Sequence, residues 1–180
     1  MNSSFDSLPR DFPGGRLRRL RTTDLAAFQG YRQIPDLGRY QGWSVMTDAE
    51  ATAFLAEMSA APIFTPGEWL QLGIAEPESD VLIGDIGIHV SADGFTGEIG
   101  FTLQPSAQGH GIATAAVHAA LQIVFAATPV QRVLGITDSR NSASARLLER
   151  TGFKLQESRG AMFRGESCIE QVYVLARGRH

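Results

Sequence analysis

The spacing of apolar residues predicts helices in the first third of the chain. A helix is predicted over Leu25–Ile34, because Thr22-Thr23-Asp24 supplies residue types that begin helices and Pro35 follows the apolar pattern. A second helix is predicted over Ala49–Ala60, with Thr47-Asp48 at its start. Beyond this helix the pattern changes to the period of strands.

Alternating apolar and polar residues predict the strands of a sheet. In the longest of them, apolar residues fill one face, and the other face carries Asp85, Gly87 and His89. The predicted strands cover Arg16–Arg21, Glu68–Ala75, Val81–Ser91, Thr96–Leu103 and Val130–Thr137, followed by a hairpin of Lys154–Ser158 and Ser167–Ala176.

A glycine-bearing loop separates the strand at Thr96 from the strongest helical pattern in the chain. The loop spans Gln104–Gly111, and the helix predicted after it covers Ile112–Ala127 with a wide apolar face. Asn141 is the expected cap of a shorter helix, Ser142–Arg150, and Gly152 follows at the usual C-terminal glycine position.

The order of these elements predicts one mixed α/β domain over residues 16–176. Residues 1–15 are polar and rich in proline and glycine, and are expected to form a loose tail without the apolar core of a signal peptide. The chain has 180 residues, of which 43% are hydrophobic, so it can bury a core of ordinary size.

Charge and cysteine usage narrow the possible partners. The formal net charge is −3, and the one basic run, at Arg16–Arg21, is interpreted as the solvated start of a strand, so no nucleic-acid partner is expected. Ile112–Ala127 is too short to cross a bilayer, and no membrane partner is expected. Cys168 is the only cysteine, which favours a reducing compartment and therefore the cytoplasm.

The loop-to-helix segment Gln108–Thr114 has the properties of an anion site. The first N–H groups of a helix have no partner within the helix, and the helix dipole adds positive character there. Gly109 and Gly111 let a phosphate approach those groups closely. A tight turn without a ligand remains the alternative. The segment lacks the lysine of a Walker loop and the third glycine of a dinucleotide fingerprint.

A second motif lies after the next strand, where the residues read N-x-x-S from Asn141 and end in G-F at Gly152-Phe153. With the Q-G-x-G-x-A of the loop, this order resembles the GNAT superfamily of N-acyltransferases, and within it the RimJ/RimL branch that acetylates ribosomal-protein N-termini. The resemblance is specific over Glu98–Phe153 and weaker over residues 16–176. It implies an α+β fold: a central, mixed, mostly antiparallel twisted sheet, splayed in the middle and flanked by about four helices.

The resemblance also implies acetyl-CoA as co-substrate, with no metal. In that family the pantetheine arm pairs with the splayed strand, the pyrophosphate lies on the glycine loop, and the asparagine after the next strand contacts the cofactor. Many members carry basic residues where this chain has Gln108 and His110, so anion binding is expected to depend on backbone N–H groups. The implied cofactor residues are Phe101, Thr102, Leu103, Gln108, Gly109, His110, Gly111, Ala113, Thr114 and Asn141.

The catalytic acid implied by the resemblance is Ser144, which matches a serine near the thioester sulfur and is expected to donate a proton to the departing thiolate. Many members have a tyrosine seven residues after the asparagine, and Leu148 occupies that position here. A glutamate of the closing hairpin serves as base in some RimL-like enzymes, and Phe163 aligns with it.

The general base therefore has to be another residue. Glu98, on the strand that faces the expected site, is the first candidate, and His89 on the neighbouring strand is the second. Asp85 lies two residues from His89 on the same predicted face and is expected to orient it. Both candidates have a structural alternative: an exposed strand carboxylate for Glu98 and a packing role for His89.

The predicted reaction is transfer of an acetyl group to a primary amine, with a protein N-terminal amine as the leading acceptor. Tyr40, Trp43 and Phe64 are the expected apolar wall of the acceptor region. A small amine of the aminoglycoside or polyamine type is an alternative acceptor. A CoA-binding module without catalysis and a nucleotide-binding domain are the alternative functions. The protein is expected to be a monomer or a homodimer.

Overall fold

The computed structural model describes residues 8–178. In this part of the chain, eight strands form one sheet. Five helices flank the sheet in this part of the chain. The strands are β1 Arg10–Phe12, β2 Gly15–Arg19, β3 Trp69–Ala75, β4 Leu82–Val90, β5 Thr96–Leu103, β6 Arg132–Asp138, β7 Lys154–Phe163 and β8 Glu166–Ala176. The helices are α1 Leu25–Arg32, α2 Pro35–Gly38, α3 Asp48–Ala60, α4 Ile112–Ala127 and α5 Ser142–Arg150.

The strands lie in the order β1-β2-β3-β4-β5-β6-β8-β7, and every neighbouring pair is antiparallel except β5 and β6. These two parallel strands pair over only three residues, and the last pair is Glu98 with Leu134. Beyond that pair the two strands separate. The predicted mixed, mostly antiparallel sheet that splays in its middle is therefore confirmed.

The two faces of the sheet bury different sets of side chains. Ile86 and Ile88 of β4 pack in the larger core with α4 and α5, whereas Phe28 and Tyr31 of α1 pack with α3 on the other face. Fully burying one such aliphatic side chain contributes about 1.5–3 kcal/mol. Both cores therefore depend on the two-residue alternation of the central strands.

The local signals in the sequence locate several elements correctly. The predicted bounds of β5, α4 and α5 match the structure, and Asn141 caps α5 as expected. The predicted start of α1 at Leu25 also agrees, but the helix ends at Arg32 instead of Ile34, and Pro35 begins the short helix α2. A proline fits the first turn of a helix because its missing N–H would have no partner there.

The loose tail predicted for residues 1–15 is wrong over part of its length. Arg10–Phe12 forms β1 against β2, and the Arg10 guanidinium donates a hydrogen bond of 2.6 Å to the Gln122 side chain of α4. Residues 1–7 lie outside the described residues. The sheet therefore begins earlier in the chain than the polar composition indicated.

The closing hairpin is longer than predicted and carries a tight turn at Arg164-Gly165. Both residues have positive φ angles, 51° and 78°, as a two-residue turn with the twist of the flanking strands requires. The hairpin extends β7 to Phe163 and begins β8 at Glu166, so that its tip projects past the end of β6.

None of the helices formed by residues 8–178 combines the length and apolarity needed to cross a membrane.

A buried polar cluster joins α1 to the centre of the sheet. Asp85 of β4 is fully buried, pairs with Arg32 at 2.6 Å and accepts hydrogen bonds from Tyr31 and Gln71. Burial and the Asp85 charge raise the pKa of Tyr31 well above its usual value, so Tyr31 stays a donor. The expected role of Asp85 in orienting His89 is wrong, because these partners occupy its carboxylate.

We expect Asp85→Asn to lower the free energy of unfolding by about 3–5 kcal/mol, because it leaves the Arg32 guanidinium buried without its counter-charge. Urea unfolding at neutral pH measures the change. The matched control is Asp11→Asn, which removes an aspartate–arginine pair on the surface, with Arg16, and should change stability little. Equal effects of the two substitutions would contradict a structural role for the cluster.

Candidate active site

The separation of β5 from β6 opens a cleft with a volume of about 720 Å³. A narrower recess between the two strands is continuous with it through shared lining residues, including Asn141 and Ser144. The cleft is lined by Asp36, Leu37, Tyr40, Gln41, Phe101, Thr102, Leu103, Gln108, Gly109, Gly111, Ile112, Ala113, Thr114, Asn141, Ala143, Ser144, Leu147 and Arg150. All but one of the predicted cofactor residues therefore line a single cleft.

The glycine loop presents backbone donors to this cleft. Gly109 and Gly111 have φ angles of 79° and 77°, and a β-carbon built on either would meet no atom within 4 Å. Gly111 is the cap residue of α4, so the free N–H groups of the first helical turn, from Ile112 onward, lie at the mouth of the cleft. Open space and free donors together suit a phosphate or pyrophosphate group.

His110 is the predicted cofactor residue that does not line the main cleft. Its side chain lies at a neighbouring depression of about 390 Å³, together with Glu76 and Glu78. Gln108 lines the main cleft, and its side-chain amide donates a hydrogen bond of 2.9 Å to the Leu103 carbonyl. Within the described residues, the loop therefore offers the cleft backbone donors and a neutral amide in place of basic side chains.

The free edge of β5 faces the cleft with alternate backbone groups. Thr96 and Gln104 hydrogen-bond toward β4, so even-numbered residues of β5 face β4 and odd-numbered residues face the gap. Phe101 and Leu103 therefore present their N–H and C=O groups to the gap. Thr102 lines the cleft, but its backbone faces β4, and its hydroxyl accepts a hydrogen bond of 3.2 Å from the Trp43 indole.

Asn141 and Ser144 lie at the start of α5, beside the gap. The Asn141 side-chain oxygen accepts a hydrogen bond of 3.2 Å from the Ser144 N–H, which leaves the Asn141 amide nitrogen for another partner. Leu148 is buried against Gly135 of β6, where an added β-carbon would lie 2.4 Å from the Leu148 side chain. Position 148 is therefore a packing position, and Ser144 is the hydroxyl of α5 that lines both the cleft and the recess.

Glu98 lies where the gap begins, on the face of the sheet that α1 covers. It is the cross-strand partner of His89, whose ring contacts Trp69 at 5.3 Å between ring centroids. Burial raises the pKa of Glu98, and the nearby carboxylate of Glu170 adds to that effect. Neither Glu98 nor His89 lines the cleft or the recess. The next residue of β5, Ile99, packs in the core with α4 and α5, so Glu98 lies on the opposite face of the strands from Ser144 of α5.

The tip of the closing hairpin bridges the open end of the gap. Arg164 donates hydrogen bonds to the carbonyls of Gln41 and Trp43, which belong to the loop after α2. The Trp43 ring also stacks under the Arg32 guanidinium at 4.4 Å. Since this loop is bonded to β5 and the hairpin extends from β6, the contact joins the two sides of the gap.

The predicted apolar wall is partly correct. Tyr40 lines the cleft and the recess, and its ring lies 5.4 Å from the Arg140 guanidinium. Phe64 is only 7% exposed and packs in the larger core, so its assignment to the wall is wrong. The sequence around Phe64, which is followed by Thr65-Pro66, did not indicate whether its side chain is buried or exposed.

Seven lining residues were not predicted from the sequence: Asp36, Leu37, Gln41, Ile112, Ala143, Leu147 and Arg150. Arg150 was detectable, because positions 143, 147 and 150 share the face of α5 that also presents Ser144. Gln41 was not, because it lies in a loop whose position depends on distant contacts. Among residues 8–178, no group of three or more His, Cys, Asp or Glu side chains is arranged to hold a metal ion.

Comparisons with known proteins agree with this geometry. The family model described as acetyltransferase (GNAT) domain matches residues 16–154. The "Uncharacterized N-acetyltransferase YoaA" of Bacillus subtilis (strain 168) is 27% identical over 139 residues, which cover 77% of this chain and 78% of that protein.

Two solved structures share the fold. An acetyltransferase of the GNAT family from Bacillus anthracis superposes with a TM-score of 0.81 at 20% identity, over 92% of this chain and 96% of that one. The microcin C7 self-immunity acetyltransferase MccE, in complex with acetyl-CoA and AMP, gives 0.78 at 17% identity, over 91% and 93%. With the family model matching more than half of the sequence, the chain belongs to the GNAT family of N-acetyltransferases.

Proposed function

We propose that the protein transfers an acetyl group from acetyl-CoA to a primary amine at the end of a chain, and that a protein N-terminal amine is the leading acceptor. The observation that carries the proposal is the gap between β5 and β6, which opens to both faces of the sheet and is bridged at its open end by Arg164. An N-terminal amine acceptor corresponds to the specificity of the RimJ/RimL branch.

The donor is proposed to enter from the α4–α5 face. The pyrophosphate binds the N–H groups after Gly111, and the pantetheine arm extends along the β5 edge at Phe101 and Leu103. This arrangement brings the thioester toward Ser144, at the far end of the cleft. Arg150 is the one basic side chain among the lining residues and supplies positive charge for a CoA phosphate.

The acceptor is proposed to approach from the α1 face, toward Glu98 and His89. We infer that the bridge made by Arg164 keeps a polypeptide from lying through the gap as a continuous strand and leaves room for the end of a chain. This favours a terminal amine over an internal lysine. Glu98 contributes a carboxylate to this face, where Glu170 is paired with Arg159 at 3.2 Å, and this carboxylate favours a second candidate, a small amine with more than one positive charge.

The chemistry requires one proton acceptor and one donor. The amine loses its ammonium proton to Glu98, directly or through water, and attacks the thioester carbonyl. The attacking nitrogen gives up its second proton as the tetrahedral oxyanion collapses and the carbon–sulfur bond breaks. The departing thiolate, which accepts a hydrogen bond from the Ser144 hydroxyl, takes up a proton and leaves as the CoA thiol. The raised pKa of Glu98 makes its carboxylate a stronger base than an ordinary exposed carboxylate.

We propose the cytoplasm as the place of this activity, because the only cysteine, Cys168, is a buried free thiol, which fits a reducing compartment.

Acetyl-CoA turnover, measured as released thiol, tests the acceptor. The panel contains a peptide with a free N-terminus and no lysine, its N-terminally blocked counterpart with one internal lysine, and a linear polyamine. We expect turnover of the free N-terminal peptide and only background with the blocked lysine peptide. Turnover of the polyamine alone selects the second candidate, and efficient use of the internal lysine contradicts the proposed role of the bridge.

Gly111→Val tests the donor site. A β-branched side chain at a φ of 77° is strained, and it covers the backbone donors, so we expect loss of acetyl-CoA binding in calorimetry. Gly67→Val is the matched control, because Gly67 also has a positive φ, 86°, and open space around it, but lies away from the cleft. Unchanged acetyl-CoA affinity in Gly111→Val would remove the assignment of this loop.

Ser144→Ala and Glu98→Gln test the catalytic groups. Each should lower kcat by about 10²–10⁴ while acetyl-CoA affinity stays near normal, since loss of one proton-transfer group costs that much. Wild-type kcat should fall as pH decreases through the raised pKa of Glu98, and Glu98→Gln should recover partly at high pH, where free amine is plentiful.

The free energy of unfolding distinguishes loss of the Glu98 carboxylate from misfolding as the cause of a lower kcat. A raised carboxyl pKa means that the ionised form is less favourable in the folded state, so Glu98→Gln should be at least as stable as wild type at neutral pH. If Glu98→Gln retains full activity at neutral pH, the base is His89 or solvent. Full activity of both variants would show that positioning alone accounts for catalysis.

A further inference from the structure

Two of the carbonyl groups that β5 presents to the gap, those of Phe101 and Leu103, are already hydrogen-bonded in this structure. Leu103 accepts a bond of 2.9 Å from the Gln108 side-chain amide, and Phe101 accepts one of 3.2 Å from the Gln41 side-chain amide. Both donors are primary amides, which bond a strand edge in the same way as a neighbouring backbone N–H group. The two glutamine side chains therefore occupy positions where a neighbouring strand would otherwise supply backbone N–H donors.

The two glutamines differ in what holds them. Gln108 is five residues from its acceptor and belongs to the glycine loop, so its bond is local to the loop. Gln41 is 60 residues from Phe101 and reaches it from the loop after α2. The Gln41 backbone is fixed on both sides, because its N–H donates to the Gly38 carbonyl and its carbonyl accepts from Arg164. The Gln41 side chain can therefore break its bond to the Phe101 carbonyl while both backbone hydrogen bonds of Gln41 remain.

An acyl-CoA in the cleft needs the same carbonyl. Its pantetheine arm carries two secondary amides, and the cleft offers them the odd-numbered backbone groups of β5. An amide N–H that lies along this edge approaches the Phe101 carbonyl from the gap, where the Gln41 amide lies. Since Gln41 itself lines the cleft, the arm and this side chain compete for one acceptor and for adjacent space.

We propose that Gln41 is a placeholder that competes with the pantetheine amide for the Phe101 carbonyl and thereby speeds release of the CoA product. It satisfies the open strand edge when the cleft is empty, moves aside when the donor binds and returns when CoA departs. The proposal rests on the proposed function, because it requires CoA ligands in this cleft. Gln41 is a positioning residue here, since it acts on the strand edge and not on the reacting atoms.

Because Gln41 competes with the ligand, its replacement should strengthen CoA binding, whereas replacement of an ordinary contact residue would weaken it. Gln41→Met keeps a side chain of similar length but has no donor, so it should lower the Kd for both acetyl-CoA and CoA by about two- to tenfold, the net contribution of one hydrogen bond. The inhibition constant for CoA as a product should fall by the same factor. Gln33→Ala is the control, because Gln33 is an exposed glutamine that does not line the cleft.

Calorimetry with three ligands separates the possible results: acetyl-CoA, CoA, and adenosine 3′,5′-bisphosphate, which has the nucleotide but no pantetheine amides. The proposal requires tighter binding of the first two to Gln41→Met and unchanged binding of the third. Weaker or unchanged binding of CoA overturns it, as does an equal gain for all three ligands. If wild-type protein binds neither acetyl-CoA nor CoA, the proposed function fails, and this inference fails with it.

Discussion

The early end of pairing between β5 and β6 determines the rest of the site. Parallel strands that continued past Glu98 and Leu134 would satisfy each other's backbone groups and close the sheet. Because they separate, one edge of β5 requires other partners in the middle of the domain. The cleft, the recess, the two glutamine contacts and the space beside Ser144 all follow from that requirement.

The gap keeps its shape because both of its sides are attached to well-packed parts of the molecule. On one side, Asp85 fixes Arg32, and the Arg32 guanidinium stacks on Trp43, which in turn bonds Thr102 of β5. On the other side, β6 pairs along its whole length with β8, whose hairpin carries Arg164 back to the Trp43 loop. A buried ion pair near the centre of the sheet is thus connected, through the stacking of Arg32 on Trp43, both to Thr102 of β5 and to Arg164 of the hairpin.

The sequence predicted an element correctly wherever the signal lay in neighbouring residues. The capping residue Asn141, the glycines before α4 and the alternation along β5 located these elements, because helix starts and strand faces depend on neighbouring residues. The cofactor residues were predicted through the family resemblance, and all of them except His110 line one cleft. The cross-strand neighbours Glu98 and His89 were also predicted to lie near the site, and the register confirms that they are adjacent.

The errors arose where distant segments meet. Asp85 was assigned to His89 because nothing in the local pattern shows that Arg32 of α1 reaches the same face. The strand at Arg10–Phe12 was predicted as tail because its composition is polar, whereas its pairing with β2 and its contact with α4 order it. Gln41 and Arg164 gain their positions only from tertiary contacts, and a single sequence carries no signal for these.

The packing of Leu148 on Gly135 has a consequence for how this site can change during evolution. The absence of a side chain at position 135 lets Leu148 lie directly on the backbone of β6, so a β-carbon at position 135 would require Leu148 to move. A larger, aromatic side chain at position 148 would meet the same backbone. The residue that position 148 can accept therefore depends on position 135 and on the spacing of α5 from β6, so a lineage with this pair could not acquire an aromatic hydroxyl at position 148 through one substitution while keeping the same packing.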